Sequence, residues 1–511
     1  MTTLLPLAGR RPALPAAVRP RRPLLVRLPL LCLLALQAVL SWRLQNSAFQ
    51  DESLYLYAGH REIALLLHGT PTYDNYASYF SGAPFFYPVL GAMADRFAGL
   101  AGARALSLLF MLACTVLLHG LARRLFGRRA ALMGAALFAL SGPVLFLGHL
   151  ATYDAMALFL LAVGAWTAVR AARLPWPVTA LVGVPLALAG TAKYAALLFA
   201  GTVLGLVALA ALPERGLRQA LLRGLLALGS AVGCAALVLL LAGHSFLAGV
   251  RSTTTARQAG TDSTPLLLRL SAEYGGLVLL LAVVGTVLLV RAGTGRQRTA
   301  RLLLAGLLTG TALLAPAYQV HLHTLTSLHK HIGFGLFFAA PVAGYGLARI
   351  ADVGHYSPRR LGIALGVCLL ATELGISQSA ALFRQWPDST RLEQVLRTQI
   401  RPQTGHYLVE EAEVPRYYQA ALAQPYQWSG TYFFAYTDKK GEHLTGVPAY
   451  RAALTEDYFD LVVLRYGPTA GLDRQIDSAL TTGHGYTLIA TVAADSSYGR
   501  GTWFVWRPNR D

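Results

Sequence analysis

Long apolar runs divided by short arginine clusters decide what this chain is able to fold into. A helix crossing a hydrocarbon core of about 30 Å needs roughly 20 consecutive, mostly apolar residues, and the 511-residue chain holds many such runs. Hydrophobic residues make up 55% of it, charged residues only 14%, and the mean hydropathy is +0.47. A soluble domain carries about 25% charged residues, so a polytopic helical membrane protein is the class implied. The net charge of +19 would elsewhere suggest nucleic acid. Here the arginines lie in short loops between apolar runs, as orientation in a lipid bilayer requires, and no nucleic-acid partner is expected. Cys32, Cys114, Cys234 and Cys368 all sit inside apolar runs. They read as small buried hydrophobes, not as disulfides or zinc ligands.

Residues 1–23, rich in Pro and Arg, read as a disordered basic cytoplasmic tail. A first, uncleaved helix is expected over 24–42, which places Asp51 outside by the positive-inside rule. Residues 43–83 read as a long outer loop and 84–98 as an interfacial helix, followed by crossings at 103–122, 130–147 and from Asp154. Trp176 to Leu212 would be about 55 Å long as one helix, and it joins two basic loops that belong on the same side. Two short crossings meeting at Lys193-Tyr194 resolve both difficulties. Further crossings at 221–243, 275–291, 302–318, 332–350 and 361–377 bring the total to about 11. Residues 24–377 then form the membrane domain. From 378 to 511 the chain turns polar and aromatic, with strand-like runs at His406–Val409, Thr431–Phe434, Phe459–Leu464, Tyr486–Val492 and Trp503–Trp506 and a helix-like Gly471–Leu480. This reads as a small extracytoplasmic α/β domain.

Inner loops carry mainly arginine; the outer ones hold the chemistry. Foremost is the pair Asp51-Glu52 in Phe49–Tyr57, in a chain with only 25 acidic residues. With it come Arg61, Tyr87, Arg104, His149, Tyr153, Asp154, Lys193, Tyr194, His329, Lys330 and His331. Ionisable groups at membrane depth are costly to keep and tend to be functional. Each also has a plainer reading: an Asp-Glu pair as a solvated turn, Asp154 as a helix cap, Lys193 as a snorkelling side chain, Arg104 as an anchor. His321 and His323, like His329 and His331, are two apart, which is not helical i,i+4 spacing nor a zinc signature. No metal ligands are assigned. A divalent metal stays open as a cofactor, while phosphate binding by Lys330 with its neighbouring histidines is preferred.

Three stretches carry a resemblance: Asp51-Glu52-Ser53-Leu54-Tyr55, Gly148-His149-Leu150-Ala151-Thr152-Tyr153-Asp154-Ala155 and Thr191-Ala192-Lys193-Tyr194. They resemble family 39 glycosyltransferases of the GT-C superfamily, which include protein O-mannosyltransferases and aminoarabinose transferases. The resemblance covers roughly residues 24–350. It implies a GT-C fold, a sugar donor on polyprenyl phosphate, an extracytoplasmic acceptor, a site at the outer membrane face and a single inverting displacement. By the resemblance, Asp51 matches the catalytic acidic residue of the first loop and Asp154 the second acidic position, with Glu52 beside the first. Where the family commonly has Pro-Pro after that loop, this chain has Tyr87-Pro88.

The chemistry points the same way. Attack of an acceptor hydroxyl on an anomeric carbon needs a base, and a carboxylate in a partly desolvated cleft is suited to that task. The leaving phosphate needs cations, for which Lys193, Lys330, Arg104 and Arg61 are candidates. Tyr87, His149, Tyr153, Tyr194, His329 and His331 complete the expected site. A transporter or flippase of envelope precursors is the rival, but its charges belong near the membrane midplane, not at outer helix ends. A scaffold protein has no use for the Asp-Glu pair.

Overall fold

The structure, a computed structural model, describes residues 23–351, 357–482 and 485–509. The basic tail expected over 1–23 lies outside them save its last residue. The membrane part consists of α1 (Pro23–Trp42), α2 (Gln50–His68), α3 (Tyr87–Phe126), α4 (Arg128–Ala139), α5 (Gly142–Leu147), α6 (Tyr153–Ala171), α7 (Gly183–Ala192), α8 (Ala200–Thr253), α9 (Thr264–Arg291), α10 (Gly295–Gly310), α11 (Leu314–Leu322), α12 (Leu328–Ile350) and α13 (Pro358–Leu382). Among the described residues, seven helical runs are long and apolar enough to cross a membrane, and two shorter apolar ones cover Arg27–Trp42 and Trp176–Ala192.

The longest run, Tyr194–Thr253, is not one straight crossing, because Gly216 and Gly243 take positive φ (76° and 79°) and break α8. The stretch from Trp176 to Leu212 is likewise interrupted where expected. Lys193 is extended (φ −153°, ψ 118°) and ends α7. A kink at Ala98 and Gly99 divides α3 into an outer half and a crossing half, matching the interfacial helix and the crossing read from the sequence.

Residues 43–83 depart from the expected loop by containing α2. Local chemistry explains it. Asp51 and Glu52 lie in the first turn, where the positive end of the helix dipole favours acids. Gly69 closes the other end in the left-handed conformation (φ 66°). Leu66 and Leu67 remain about two-thirds exposed, so the far half of α2 presents apolar side chains outward.

At the centre stands α12, buried at nearly every position from Leu328 to Leu347. In a membrane, helices associate through close packing of small residues more than through a hydrophobic drive. A Cβ at Gly344 would lie 2.3 Å from the Ala130 carbonyl oxygen of α4, and one at Gly285 of α9 would lie 2.1 Å from that of Val342. These contacts clamp α12 between α4 and α9 and hold its first turn, with Lys330 and His331, inside the bundle. Arginine also ties helices together: Arg223 of α8 donates to the carbonyls of Ala171, the last residue of α6, and Leu174 just past it, both at 2.8 Å.

After α14 (Thr390–Gln399) the chain forms a mixed sheet from β1 (Tyr407–Val409), α15 (Glu413–Tyr418), β2 (Trp428–Ser429), β3 (Ala435–Thr437), β4 (His443–Thr445), α16 (Gly446–Thr455), β5 (Leu461–Leu464), α17 (Ala470–Thr482), β6 (Tyr486–Ala493) and β7 (Thr502–Pro508). Strand order is β2-β1-β5-β7-β6, with β3-β4 a separate hairpin. The pairs β1–β2 and β1–β5 are parallel, while β5–β7 and β6–β7 are antiparallel. Thr431–Phe434 is not a strand, which corrects the sequence reading. The short strands β2 and β3 flank it, and Gly430 ahead of it gives no side chain to pack. The small α15 docks this domain onto the membrane part. Gln50 donates to Glu413 (3.0 Å), Arg416 to Asp74 (2.7 Å) and the Ala48 amide to Tyr418 (2.7 Å).

Candidate active site

Asp51 opens α2 with its side chain partly exposed, and its Oδ2 accepts from Lys330 Nζ at 2.7 Å. Lys330 itself is buried in the first turn of α12. A second ion pair lies close by: Lys193 Nζ donates to Asp154 Oδ1, and Thr152 Oγ1 donates to Asp154 Oδ2 at 2.9 Å. The two pairs are bridged by tyrosines, since the Tyr153 hydroxyl lies 2.5 Å from that of Tyr55 and also bonds Ser81. Lys193 Nζ sits 5.2 Å from the centre of the Tyr153 ring. Its backbone is fixed by a short stitch. The Tyr194 amide donates to the Ser81 carbonyl (2.9 Å) and the Ala83 amide to that of Thr191 (2.8 Å). A Cβ at Gly82 would come within 2.0 Å of the Ala192 oxygen, so only glycine permits that approach.

These elements wall a cavity of about 580 Å³ lined by Asp51, Tyr55, Lys193, Tyr194, Arg257 and His331, with an apolar side of Leu54, Phe80, Leu197, Leu198 and Val250. Such a combination suits a molecule with a charged head and an apolar body. His331 Nε2 and the Tyr194 hydroxyl are buried there without a hydrogen-bond partner among the described residues. Lys193 already has a carboxylate partner, whereas Arg257 has none among the described residues. Arg257, in the link between α8 and α9, escaped the sequence reading because nothing distinguishes it from the neighbouring Arg251. Only the fold brings it into the lining of the cavity.

Glu52 corrects the sequence reading. It is fully buried, and all its hydrogen bonds are structural. Arg104 Nε and Nη2 donate to it at 2.9 and 2.7 Å, the Ala151 amide at 2.7 Å and the Phe49 amide at 2.9 Å. No lone pair is left facing the cavity, so Glu52 orders the start of α2 instead of reacting. Arg104 is corrected with it. Buried and also bonded to the carbonyls of Asn46 (2.9 Å) and Ser47 (3.2 Å), it is unavailable to a phosphate. Asp154 is 1% exposed and tied to Lys193, which places it behind the cavity and not at its surface. The helix-cap reading also fails, since Thr152 is the residue that precedes α6.

Other candidates lie elsewhere. Arg61 lines a separate cavity on the far side of α2. His149 is buried between Trp42 and Phe383, with ring centroids at 5.2 and 5.6 Å. Tyr87 packs against Tyr153, and His329 stands edge-on to Phe146. As for a metal, no group of three or more His, Cys, Asp or Glu is assembled among the described residues.

A bundle of apolar helices capped by a small sheet domain is the fold of the GT-C glycosyltransferases, and the chain has that fold. It aligns over 94% of its length with ArnT from Cupriavidus metallidurans bound to undecaprenyl phosphate, covering 98% of that chain (TM-score 0.57, 14% identity). It aligns over 88% with the apo oligosaccharyltransferase of Archaeoglobus fulgidus, covering 71% of it (TM-score 0.53, 14% identity). With arabinofuranosyltransferase AftD from Mycobacteria it aligns over 94%, covering 41% of that chain (TM-score 0.51, 15% identity). Within the class, the sequence itself matches one family over residues 76–247, the dolichyl-phosphate-mannose-protein mannosyltransferases. That match agrees with the family 39 resemblance of the motifs. No curated protein sequence matches the chain significantly.

Proposed function

We propose that the chain is a membrane glycosyltransferase moving a sugar from a polyprenyl-phosphate donor to a hydroxyl of an extracytoplasmic acceptor, a protein, cell-wall glycan or lipid. The observation that carries the reading is the single cavity joining a partly exposed carboxylate, Asp51, to the cations Lys193 and Arg257 and to an apolar wall. Asp51 takes the proton as the acceptor oxygen attacks the anomeric carbon. The bond from that carbon to the phosphate oxygen breaks, the configuration inverts, and polyprenyl phosphate leaves. Lys330 orients the carboxylate. Arg257, Lys193 and the free His331 nitrogen receive the phosphate charge, where fixed charges in a water-poor site act most strongly. Asp154 holds Lys193 in place.

The arginine-bearing loops mark the cytoplasmic side of a cell membrane, so α1 starts on that side, and the cavity and the sheet domain lie outside. Acids and cations at the first turns of α2, α6 and α12 favour this reading over a transporter or flippase, whose site belongs at the midplane. Mass spectrometry of envelope glycans and lipids from cells with and without the gene tests it. One sugar substituent missing from one acceptor, with its polyprenyl-phosphate donor accumulating, is expected. The same loss with the precursor trapped on the cytoplasmic side would favour transport.

A further inference from the structure

Arg61 is not idle on the far side of α2. It lines a second cavity, about 550 Å³, between α2, the outer half of α3 and α15, together with Tyr57, His60, Asp95, Gly99 and Tyr417. Arg61 Nε is buried there with no hydrogen-bond partner, and no carboxylate pairs with its guanidinium among the described residues. The one acid in the cavity, Asp95, is fully engaged: His60 Nε2 lies 2.7 Å from its Oδ2, and the Tyr417 hydroxyl donates to Oδ1 at 2.6 Å. That arrangement holds the imidazole against the carboxylate and turns both Asp95 oxygens away from Arg61 toward other partners. The cavity therefore offers a guanidinium whose donors are not taken up by a carboxylate, a requirement of a phosphate-sized anion.

Its two helices are also those that offer apolar side chains outward. Leu66 and Leu67 of α2 are 69% and 68% exposed, and Met93 and Phe97 of α3 are 48% and 87% exposed. Phe97 falls between the lining residues Asp95 and Gly99, at the kink. Cationic pocket and exposed hydrocarbon thus adjoin on the same pair of helices. We propose that this cavity binds the phosphate headgroup of an anionic phospholipid of the adjoining leaflet, with its acyl chains along the exposed apolar side chains. Because Tyr417 belongs to α15, a lipid seated there also touches the sheet domain and fastens it to the membrane surface. The site is distinct from the cavity at Asp51 and does not depend on the proposed transfer.

The test is retention of phosphatidylglycerol against phosphatidylcholine by the full-length protein, extracted from nanodiscs containing both, in native mass spectrometry. The wild type is expected to keep phosphatidylglycerol preferentially. Loss of a charge-assisted phosphate contact corresponds to about a tenfold to hundredfold weaker binding, expected for Arg61→Ala and less for His60→Ala. Arg61→Lys should retain part of the preference, which separates lost charge from lost folding. Equal retention of both lipids by the wild type, or an undiminished preference in Arg61→Ala, would overturn the proposal. So would complete displacement of the lipid by millimolar inorganic phosphate, which would make this a site for a soluble anion.

Discussion

Glu52→Ala separates a structural acid from a catalytic one. Glu52 and Arg104 are 0% and 3% exposed, so solvent screens their interaction little. The substitution strips Arg104 of two charge-assisted bonds and leaves the amides of Phe49 and Ala151 without their acceptor. Breaking a buried pair by removing one partner costs about 3–5 kcal/mol, because the remaining charge stays uncompensated. Glu52→Gln keeps an acceptor and should cost less. Glu52→Ala combined with Arg104→Met removes the stranded charge and should recover part of the loss. Thermal unfolding of the detergent-solubilised protein checks the series, with donor binding measured below the transition. A normal unfolding temperature in Glu52→Ala, combined with complete loss of sugar transfer, would refute the reasoning and return Glu52 to the catalytic role.

Three further outcomes follow from the same geometry. Arg257→Ala should weaken binding of the polyprenyl-phosphate sugar by about tenfold to hundredfold and leave acceptor binding unchanged; equal donor affinity in titrations would exclude it from the phosphate site. In the sheet domain, burial pushes the Asp473 and Glu393 carboxyls up to about 7, with the nearby Glu410 charge adding to the first. The folded domain therefore holds protons that the unfolded chain gives up, and its stability should fall as pH rises from about 4 to about 7. Hydrogen exchange at β1 and β5, corrected for intrinsic rates, should show the loss, and Asp473→Asn should flatten it. A cysteine placed at Asp438 should react with an impermeant reagent added from outside; labelling only after permeabilisation would reverse the orientation.

Much of the fold was legible because its signals are local. Apolar runs and their arginine flanks mark membrane helices, and the excessive length of Trp176 to Leu212 forced a break that the extended Lys193 supplies. The acid pair and the Thr191–Tyr194 stretch drew attention to two real walls of the cavity. What escaped was everything decided by partners remote in sequence. Whether Glu52 faces solvent or Arg104 is settled by α3, and whether Arg61 shares a cavity with Asp51 by the direction in which α2 turns its faces. The helix α2 itself was hidden in a stretch whose Tyr and His content resembles a loop. Arg257 carries no local mark at all.

The most direct measurement of the central claim is transfer from a radiolabelled polyprenyl-phosphate sugar by purified protein in liposomes, comparing wild type with Asp51→Asn while donor binding is followed in the same vesicles. The exchange keeps side-chain volume and a hydrogen-bond acceptor toward Lys330 but removes proton acceptance. Transfer should fall by about 10²–10⁴-fold, the usual contribution of a general base, with donor binding retained. Near-normal transfer by Asp51→Asn would contradict the account.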